Sequence, residues 1–212
     1  PSFFAEISDD GQFVVFESDA TDLAEGTVAP GDRHVYFQDL RTGTTQWISR
    51  PASGGLGEPP ESGRHSWDSQ MNADGSTVVF QSDDLSLAPL DGIATTLLIW
   101  NRNSGDMKRV RLPGNPDLLP TGPLEVTGPV LSAQGRVLAF SVFPGSSVST
   151  NLPGVWRLDL DSGDPQRVSL ELPVSIDSLF QGPSLSADGQ TLAFSVETMG
   201  SSGFGPTNQV RI

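Results

Sequence analysis

The sequence predicts an all-β protein assembled from four copies of one antiparallel unit. Three observations carry that prediction. A glycine-centred turn motif recurs four times along the 212 residues. Each recurrence is followed by a short apolar run ending in Phe. Gly (23) and Pro (17) are abundant, which suits short strands joined by turns and disfavours helices.

The first element of each copy is the turn. Its four forms are Ile7-Ser8-Asp9-Asp10-Gly11, Met71-Asn72-Ala73-Asp74-Gly75, Leu131-Ser132-Ala133-Gln134-Gly135 and Leu185-Ser186-Ala187-Asp188-Gly189. The glycines stand 64, 60 and 54 residues apart. An apolar residue closes one strand, and glycine then takes a positive φ without steric penalty. The runs that follow end at Phe16, Phe80, Phe140 and Phe194. They are too short for buried helices and read as second strands, so each copy opens with a hairpin.

The third element is an apolar strand closed by Thr-Gly or Ser-Gly: Val35 to Gly43, Leu97 to Gly105 and Val155 to Gly163. The fourth alternates polar and apolar residues, as in Thr45-Gln46-Trp47-Ile48-Ser49 and Gln166-Arg167-Val168-Ser169, and suits an outer strand. Four antiparallel strands in a meander describe a propeller blade. A single blade leaves both faces open, and stacking blades about an axis buries them. The expected architecture is a β-propeller of four four-stranded antiparallel blades, at about 1–50, 65–111, 127–170 and 181–212, with the four Phe in the cores between blades.

The segment Ser186 to Ser195, with Ser-Ala-Asp-Gly leading to Ala-Phe-Ser, resembles the repeat of TolB-like propellers, as does the strand Val155 to Gly163. The resemblance covers nearly the whole chain. It implies the fold and says little of activity, because propellers host many unrelated functions.

The fourth copy stops after Asn208 to Ile212, the start of its third strand, so the last blade is read as incomplete and the chain as part of a larger ring. The remaining blades come either from a longer parent or from a second copy. The chain opens on Pro1 and not Met, which is expected of a processed product or a fragment.

Charge separates classes of partner. The formal net charge is −14. Nucleic acid and anionic membrane are therefore poor partners. No run approaches the roughly 20 apolar residues of a membrane span. Without cysteine, disulfides, Cys-based zinc sites and thiol nucleophiles are excluded. In a meander the long connections gather at one end of the blades: 19–33, 50–66, 83–95, 112–127, 143–153, 170–182 and 197–207. These seven segments hold fourteen acidic and three basic residues, against twelve and nine in the rest. The acidic long-loop face is the expected binding surface.

Two of these loops are densest in carboxylates, with Asp19, Asp22, Glu25 and Asp32 in one and Asp83, Asp84 and Asp91 in the other. Clustered carboxylates with backbone carbonyls suit calcium, a hard cation taking six to eight oxygens. Neither loop has EF-hand spacing, and Asp22 and Asp84 also read as turn residues. Calcium is the one cofactor considered. Trp67 and His65 are the candidate binding residues, with Phe143, Phe180 and Phe204 as further aromatics for the same face or for the core. His65 with Asp68 could form a pair, but no nucleophile stands beside them. No Gly-x-Ser-x-Gly elbow, Walker loop or His-Glu-x-x-His motif is present. A carboxylate pair for glycoside hydrolysis leaves no spacing signature.

The function expected is a non-catalytic binding or scaffold propeller, exported from a bacterial cell, that recognises a protein or glycan through its acidic face. The alternative is the propeller part of a larger hydrolase. The resemblance permits it, since some peptidases carry TolB-like propellers that gate a separate catalytic domain.

Overall fold

The computed structural model describes residues 1–25, 28–50, 64–84, 87, 96–111, 125–143, 154–169, 178–200, 203–204 and 208–211. Among them there is no helix, and hence none long and apolar enough to cross a membrane. Sixteen strands form four antiparallel sheets.

The first sheet is β1 (Ser2–Ile7), β2 (Phe13–Ser18), β3 (His34–Asp39) and β4 (Thr44–Trp47), in chain order. The second is β5 (Ser66–Met71), β6 (Thr77–Ser82), β7 (Thr96–Asn101) and β8 (Met107–Arg109). The third is β9 (Glu125–Leu131), β10 (Val137–Phe143), β11 (Gly154–Asp159) and β12 (Pro165–Arg167). The fourth departs from this pattern. Its β13 (Ser178–Leu185) pairs with β14 (Leu192–Gly200), and both β15 (Gly203–Phe204) and β16 (Asn208–Arg211) pair with β14. Residues 197–207, read from sequence as a loop, therefore include the end of β14 and the strand β15, in which Phe204 pairs with Met199. Residues 178–182 likewise begin a strand.

The recurrent motif is explained by its hydrogen bonds. Three residues before each glycine, a short polar side chain accepts a backbone N–H at, or one residue before, the start of the next strand. Ser8 Oγ accepts from Phe13 at 3.0 Å and Asn72 Oδ1 from Thr77 at 2.9 Å. Ser132 Oγ accepts from Val137 at 3.0 Å and Ser186 Oγ from Thr191 at 2.9 Å. The four glycines have φ between +67° and +70°, where other residues are strained. The third-to-fourth turns repeat a second device. Asp39, Asn101 and Asp159 each accept two following N–H groups on Oδ1.

Each first strand carries an irregularity. The register shifts between Phe3 and Glu6, Trp67 and Gln70, and Gln181 and Ser184, and in β9 between Thr127 and Val130. A bulge inserts a residue and bends the strand. Phe4 (φ 47°), Asp68 (φ 51°) and Gly128 (φ 59°) take the left-handed conformation there, each seven residues before its turn glycine.

The chain forms two compact units, residues 1–90 with 95–110, and 91–94 with 111–212. In the first unit, Phe13, Val15, Val35, Phe37 and Ile48 of the first sheet form one core with Met71, Val78, Phe80, Leu98 and Trp100 of the second. The Phe37 and Trp100 rings meet at 5.1 Å. In the second unit, Ala139 and Val155 pack on Leu192 and Phe194. Phe80 and Phe194 thus lie between sheets, as the repeat implies, and Phe140 is fully buried. Phe16 is a correction. It is only half-buried, stacked on Tyr36 of its own sheet at 5.6 Å beside Leu23 and Ala24 of the β2–β3 connection.

One packing relation recurs in both units. The residue two after the turn glycine sits on the turn glycine of the following sheet. A side chain at Gly75 would begin 3.0 Å from the Phe13 ring, and one at Gly189 2.7 Å from a Val137 methyl. Beside these contacts Asp9 N–H donates to the Ala73 carbonyl at 2.8 Å, and Ala133 N–H to the Ala187 carbonyl at 3.0 Å.

Candidate functional site

The tight turns fall at one end of each sheet, and five of their carboxylates serve the turns. Asp10, Asp39, Asp74, Asp159 and Asp188 accept local hydrogen bonds, which hold their pKa values below the usual aspartate value. The opposite end, where the long connections start, is organised differently. In the first two sheets it is tied by hydroxyl pairs on equivalent rungs, Ser2 with Ser18 at 3.1 Å and Ser66 with Ser82 at 3.0 Å.

A polar seam joins these two sheets. Glu17 is fully buried in β2, and its Oε1 accepts the Ser69 N–H of the β5 bulge at 3.2 Å. Glu6 Oε2 accepts the Met71 N–H at 2.7 Å. Burial pushes both carboxyls above the ordinary glutamate value, against these hydrogen bonds. The Arg33 guanidinium lies 3.6 Å from Glu17 and 4.8 Å above the Phe3 ring. The need for Glu17 is local to this seam. The third and fourth sheets carry Pro129 and Pro183 at the Ser69 position, and proline has no N–H to satisfy. The third sheet has Ser141 where the first has Glu17.

His65 belongs to the same seam. Its Nδ1 accepts the Arg33 N–H at 3.0 Å, and Ser66 N–H donates to the Arg33 carbonyl at 2.7 Å. Asp83 Oδ1 accepts the His65 N–H at 2.6 Å, while Asp83 N–H returns to the His65 carbonyl at 3.1 Å. His65 Nδ1 is taken by Arg33, and Asp68, the partner considered from sequence, is held by Gln81. Asp68 Oδ2 accepts from Gln81 Nε2 at 2.6 Å.

His34, Asp32 and Asp84 are all buried, at 1%, 2% and 4% exposure. Burial pulls the His34 pKa down to about 4, although Asp32 and Asp84 oppose it. The His34 ring stands edge-on to Trp47 at 4.7 Å, with Nδ1 3.5 Å from Ser49 Oγ. Ser49, His34 and Asp32 are the residue types of a hydrolytic triad, but this is interior packing. Ser49 is itself fully buried and accepts N–H bonds from Val35 at 2.9 Å and Trp47 at 3.0 Å. A substrate cannot approach its oxygen in this conformation.

The residues proposed from sequence fall into three groups. Asp32 and Asp84 are brought near His34, while Asp83 is committed to His65 and Asp19 lies against the Pro1 nitrogen. Asp22 and Glu25 are exposed and, among the described residues, take no hydrogen bond. Asp91 lies outside the described residues, as do most of the long connections. No group of three or more His, Asp or Glu among the described residues is arranged to hold a metal ion. Trp67 is half-buried in β5, and Phe143 is half-buried against the Phe194 core. Phe180 and Phe204 lie on β13 and β15. Sequence reasoning missed Glu17, Glu6 and Arg33. The available signal was a charged residue within the apolar phase of β2.

No family model matches the chain, and no curated protein matches its sequence. Solved structures do resemble it. The tricorn protease matches over 95% of this chain and 17% of its own, with TM-score 0.56 at 12% identity. Dipeptidyl peptidase 4 of Porphyromonas gingivalis matches over 92% and 29%, with TM-score 0.56 at 14% identity. A puromycin-hydrolyzing peptidase of Mycobacterium tuberculosis matches over 98% and 26%, with TM-score 0.52 at 16% identity. The chain spans less than a third of each. At these identities the likeness concerns the fold alone, and it supports the β-propeller class.

Proposed function

We propose that this chain is part of a β-propeller that acts as a non-catalytic recognition and scaffold module, binding a protein with a basic surface, or a glycan, through the end that bears its long connections. The observation that carries this reading is the unequal charge of the two ends. Outside the long connections the chain is nearly balanced, with twelve acidic and nine basic residues, and at the tight-turn end Asp10, Asp39, Asp74, Asp159 and Asp188 are bound to their own turns while Asp106 and Asp164 are exposed. At the other end, Asp22 and Glu25 are exposed and uncommitted among the described residues, within segments holding fourteen acidic and three basic residues. Such a surface attracts cationic partners at long range.

The test compares two charge reversals in biolayer interferometry against a Lys/Arg-rich peptide and neutral oligosaccharides. Asp22→Lys with Glu25→Lys is expected to weaken peptide capture at least tenfold at low salt. Asp106→Lys with Asp164→Lys, on exposed residues of the tight-turn end, is expected to change it less than threefold. Equal effects from both pairs contradict the assignment of the face.

A second reading has specific support: the propeller portion of a larger hydrolase. The tricorn protease, dipeptidyl peptidase 4 and puromycin-hydrolyzing peptidase are peptidases by their descriptions, and each is much longer than the matched segment. Here the propeller would flank a catalytic domain carried elsewhere in a parent chain. A Gly-x-Ser-x-Gly elbow with a later His in that parent selects this reading.

A further inference from the structure

Arg33, His65 and Asp83 form a knot at the end of the first unit's two sheets opposite the tight turns, with His65 at its centre. The main chain of His65 is paired with Asp83. Its N–H donates to Asp83 Oδ1 at 2.6 Å, and the Asp83 N–H donates to its carbonyl at 3.1 Å. Across the seam, the Arg33 N–H donates to His65 Nδ1 at 3.0 Å, and the Ser66 N–H donates to the Arg33 carbonyl at 2.7 Å. Both main-chain groups of Arg33 are thereby held by the second sheet, while its guanidinium lies over Phe3 and beside Glu17 of the first. Three long connections meet here. The β2–β3 connection ends at Arg33, the β4–β5 connection ends at His65, and the β6–β7 connection starts at Asp83.

One of these bonds depends on the charge of its acceptor. A neutral imidazole accepts on one ring nitrogen, whereas an imidazolium carries protons on both and accepts nothing. The Arg33 N–H bond therefore requires a neutral His65 with its proton on Nε2. The other links end on carbonyl and carboxyl oxygens, which remain acceptors in either protonation state. The chain has two histidines, and the second adjoins the knot: His34 follows Arg33, is buried, and interacts electrostatically with His65. The other charged groups around the knot are Asp32 and Arg33 of the β2–β3 connection, Glu17 of β2, Arg64 before β5, and Asp83 and Asp84 after β6. Pro1 holds the equivalent place in the first sheet. Its carbonyl accepts the Asp19 N–H at 3.2 Å, as that of His65 accepts from Asp83, but it offers no side-chain acceptor.

We infer that His65 is a pH-operated latch between the first two sheets. Neutral, it holds the base of β3 to the start of β5. Protonated, it releases the Arg33 N–H and leaves a part-buried donor without its acceptor. The end of the β2–β3 connection, which carries Asp22 and Glu25, loosens with Arg33. The tight-turn end of the same seam is tied by the Asp9 N–H on the Ala73 carbonyl at 2.8 Å and keeps its geometry. Mild acid thus frees one end of the seam and spares the other. The latch needs no partner and does not rest on the recognition reading.

The experiment follows backbone amides and histidine rings by NMR from about pH 8 to about pH 5.5, the span in which histidine side chains generally titrate. EDTA is present throughout, so that no bound cation contributes. Protection of the Arg33 amide, corrected for the intrinsic pH dependence of exchange, is expected to fall roughly tenfold, the effect of one lost hydrogen bond. The Ser66 amide is expected to fall with it, and the Asp9 amide to change less than about threefold. The fall at Arg33 shares its midpoint with the titration of the His65 ring. His65→Asn places a carbonyl oxygen near the position of Nδ1 and takes up no proton in this span, so its Arg33 amide is expected to stay within about threefold. His34→Asn is expected to retain the parent's response. A His65 ring that does not titrate in this span overturns the inference, as does an Arg33 amide that keeps its protection while the ring titrates. So does an equal fall in His65→Asn, or a fall that disappears in His34→Asn. The ring and amide titrations of the parent need no variant, so they decide the matter even where a substitution prevents folding.

Discussion

The Phe13 ring sits on Gly75, so close that any side chain there would begin 3.0 Å from it. This contact links a hairpin turn, which the sequence encodes locally, to the packing of one sheet on the next. Val137 on Gly189 repeats it in the second unit. The turn glycine therefore has two duties, a left-handed backbone and a bare surface for the preceding sheet.

Glu17 gives the first prediction. Glu17→Ala removes the acceptor of the Ser69 N–H and should cost about 2 kcal/mol in urea unfolding at pH 7, as expected for an orphaned buried donor. Glu17→Gln keeps an acceptor oxygen and should stay within about 1 kcal/mol of the parent. Burial raises the Glu17 pKa, so its ionisation opposes folding: the favourable balance is complete below pH 4.5 and fades as pH rises through the folded-state value. The glutamine variant should show a weaker pH dependence in that window.

His34 acts in the opposite sense. Its pKa is about 4 in the fold against 6.5 for the free side chain. Between these values the unfolded chain binds the proton that the native chain refuses, so stability falls as pH drops from 6.5 to 4. The loss attributable to His34 should be about 3 kcal/mol, from 1.36 kcal/mol for each pKa unit. Subtracting the pH profile of His34→Asn from that of the parent isolates it from the counteracting Glu6 and Glu17.

Ser49 closes the first sheet by accepting the Val35 N–H and the Trp47 indole N–H. Ser169 accepts the Val155 N–H at 3.2 Å in the equivalent place of the third sheet. Ser49→Ala leaves two buried donors and should cost about 2–3 kcal/mol, while Ser169→Ala leaves one and should cost about 1–2. Chemical denaturation measures both.

Phe80 and Phe16 hold the same position in the repeat but differ in burial. Phe80→Ala should cost about 3–5 kcal/mol and Phe16→Ala clearly less, because only Phe80 is enclosed by a neighbouring sheet.

The turns were legible in the sequence because their chemistry is short-range: Ser8, Asn72, Ser132 and Ser186 act on residues five positions away. The bulges were hidden. Gly128 and Gly182 mark them in two copies, but Phe4 and Asp68 fill the same position in the others, and a strained backbone there leaves no common residue type. The seam was hidden for another reason. Glu17 and Ser69 are 52 residues apart, and only the stacking of two sheets brings the carboxylate to the bulge. Likewise Asp32 and Asp84 read as solvent-facing loop acids and are interior, because burial of a connection depends on what packs over it.

The sheet-stacking account is tested most directly by comparing Gly75→Ala with Gly11→Ala in equilibrium urea unfolding. Both glycines have φ near +68°, so the backbone strain of a side chain is the same at each, about 1 kcal/mol. Only Gly75 lies under a ring. The account predicts that Gly75→Ala loses at least 1–2 kcal/mol more than Gly11→Ala at low micromolar protein, from overpacking against Phe13. Equal losses would contradict it, since the turn glycines would then carry no contact from the preceding sheet.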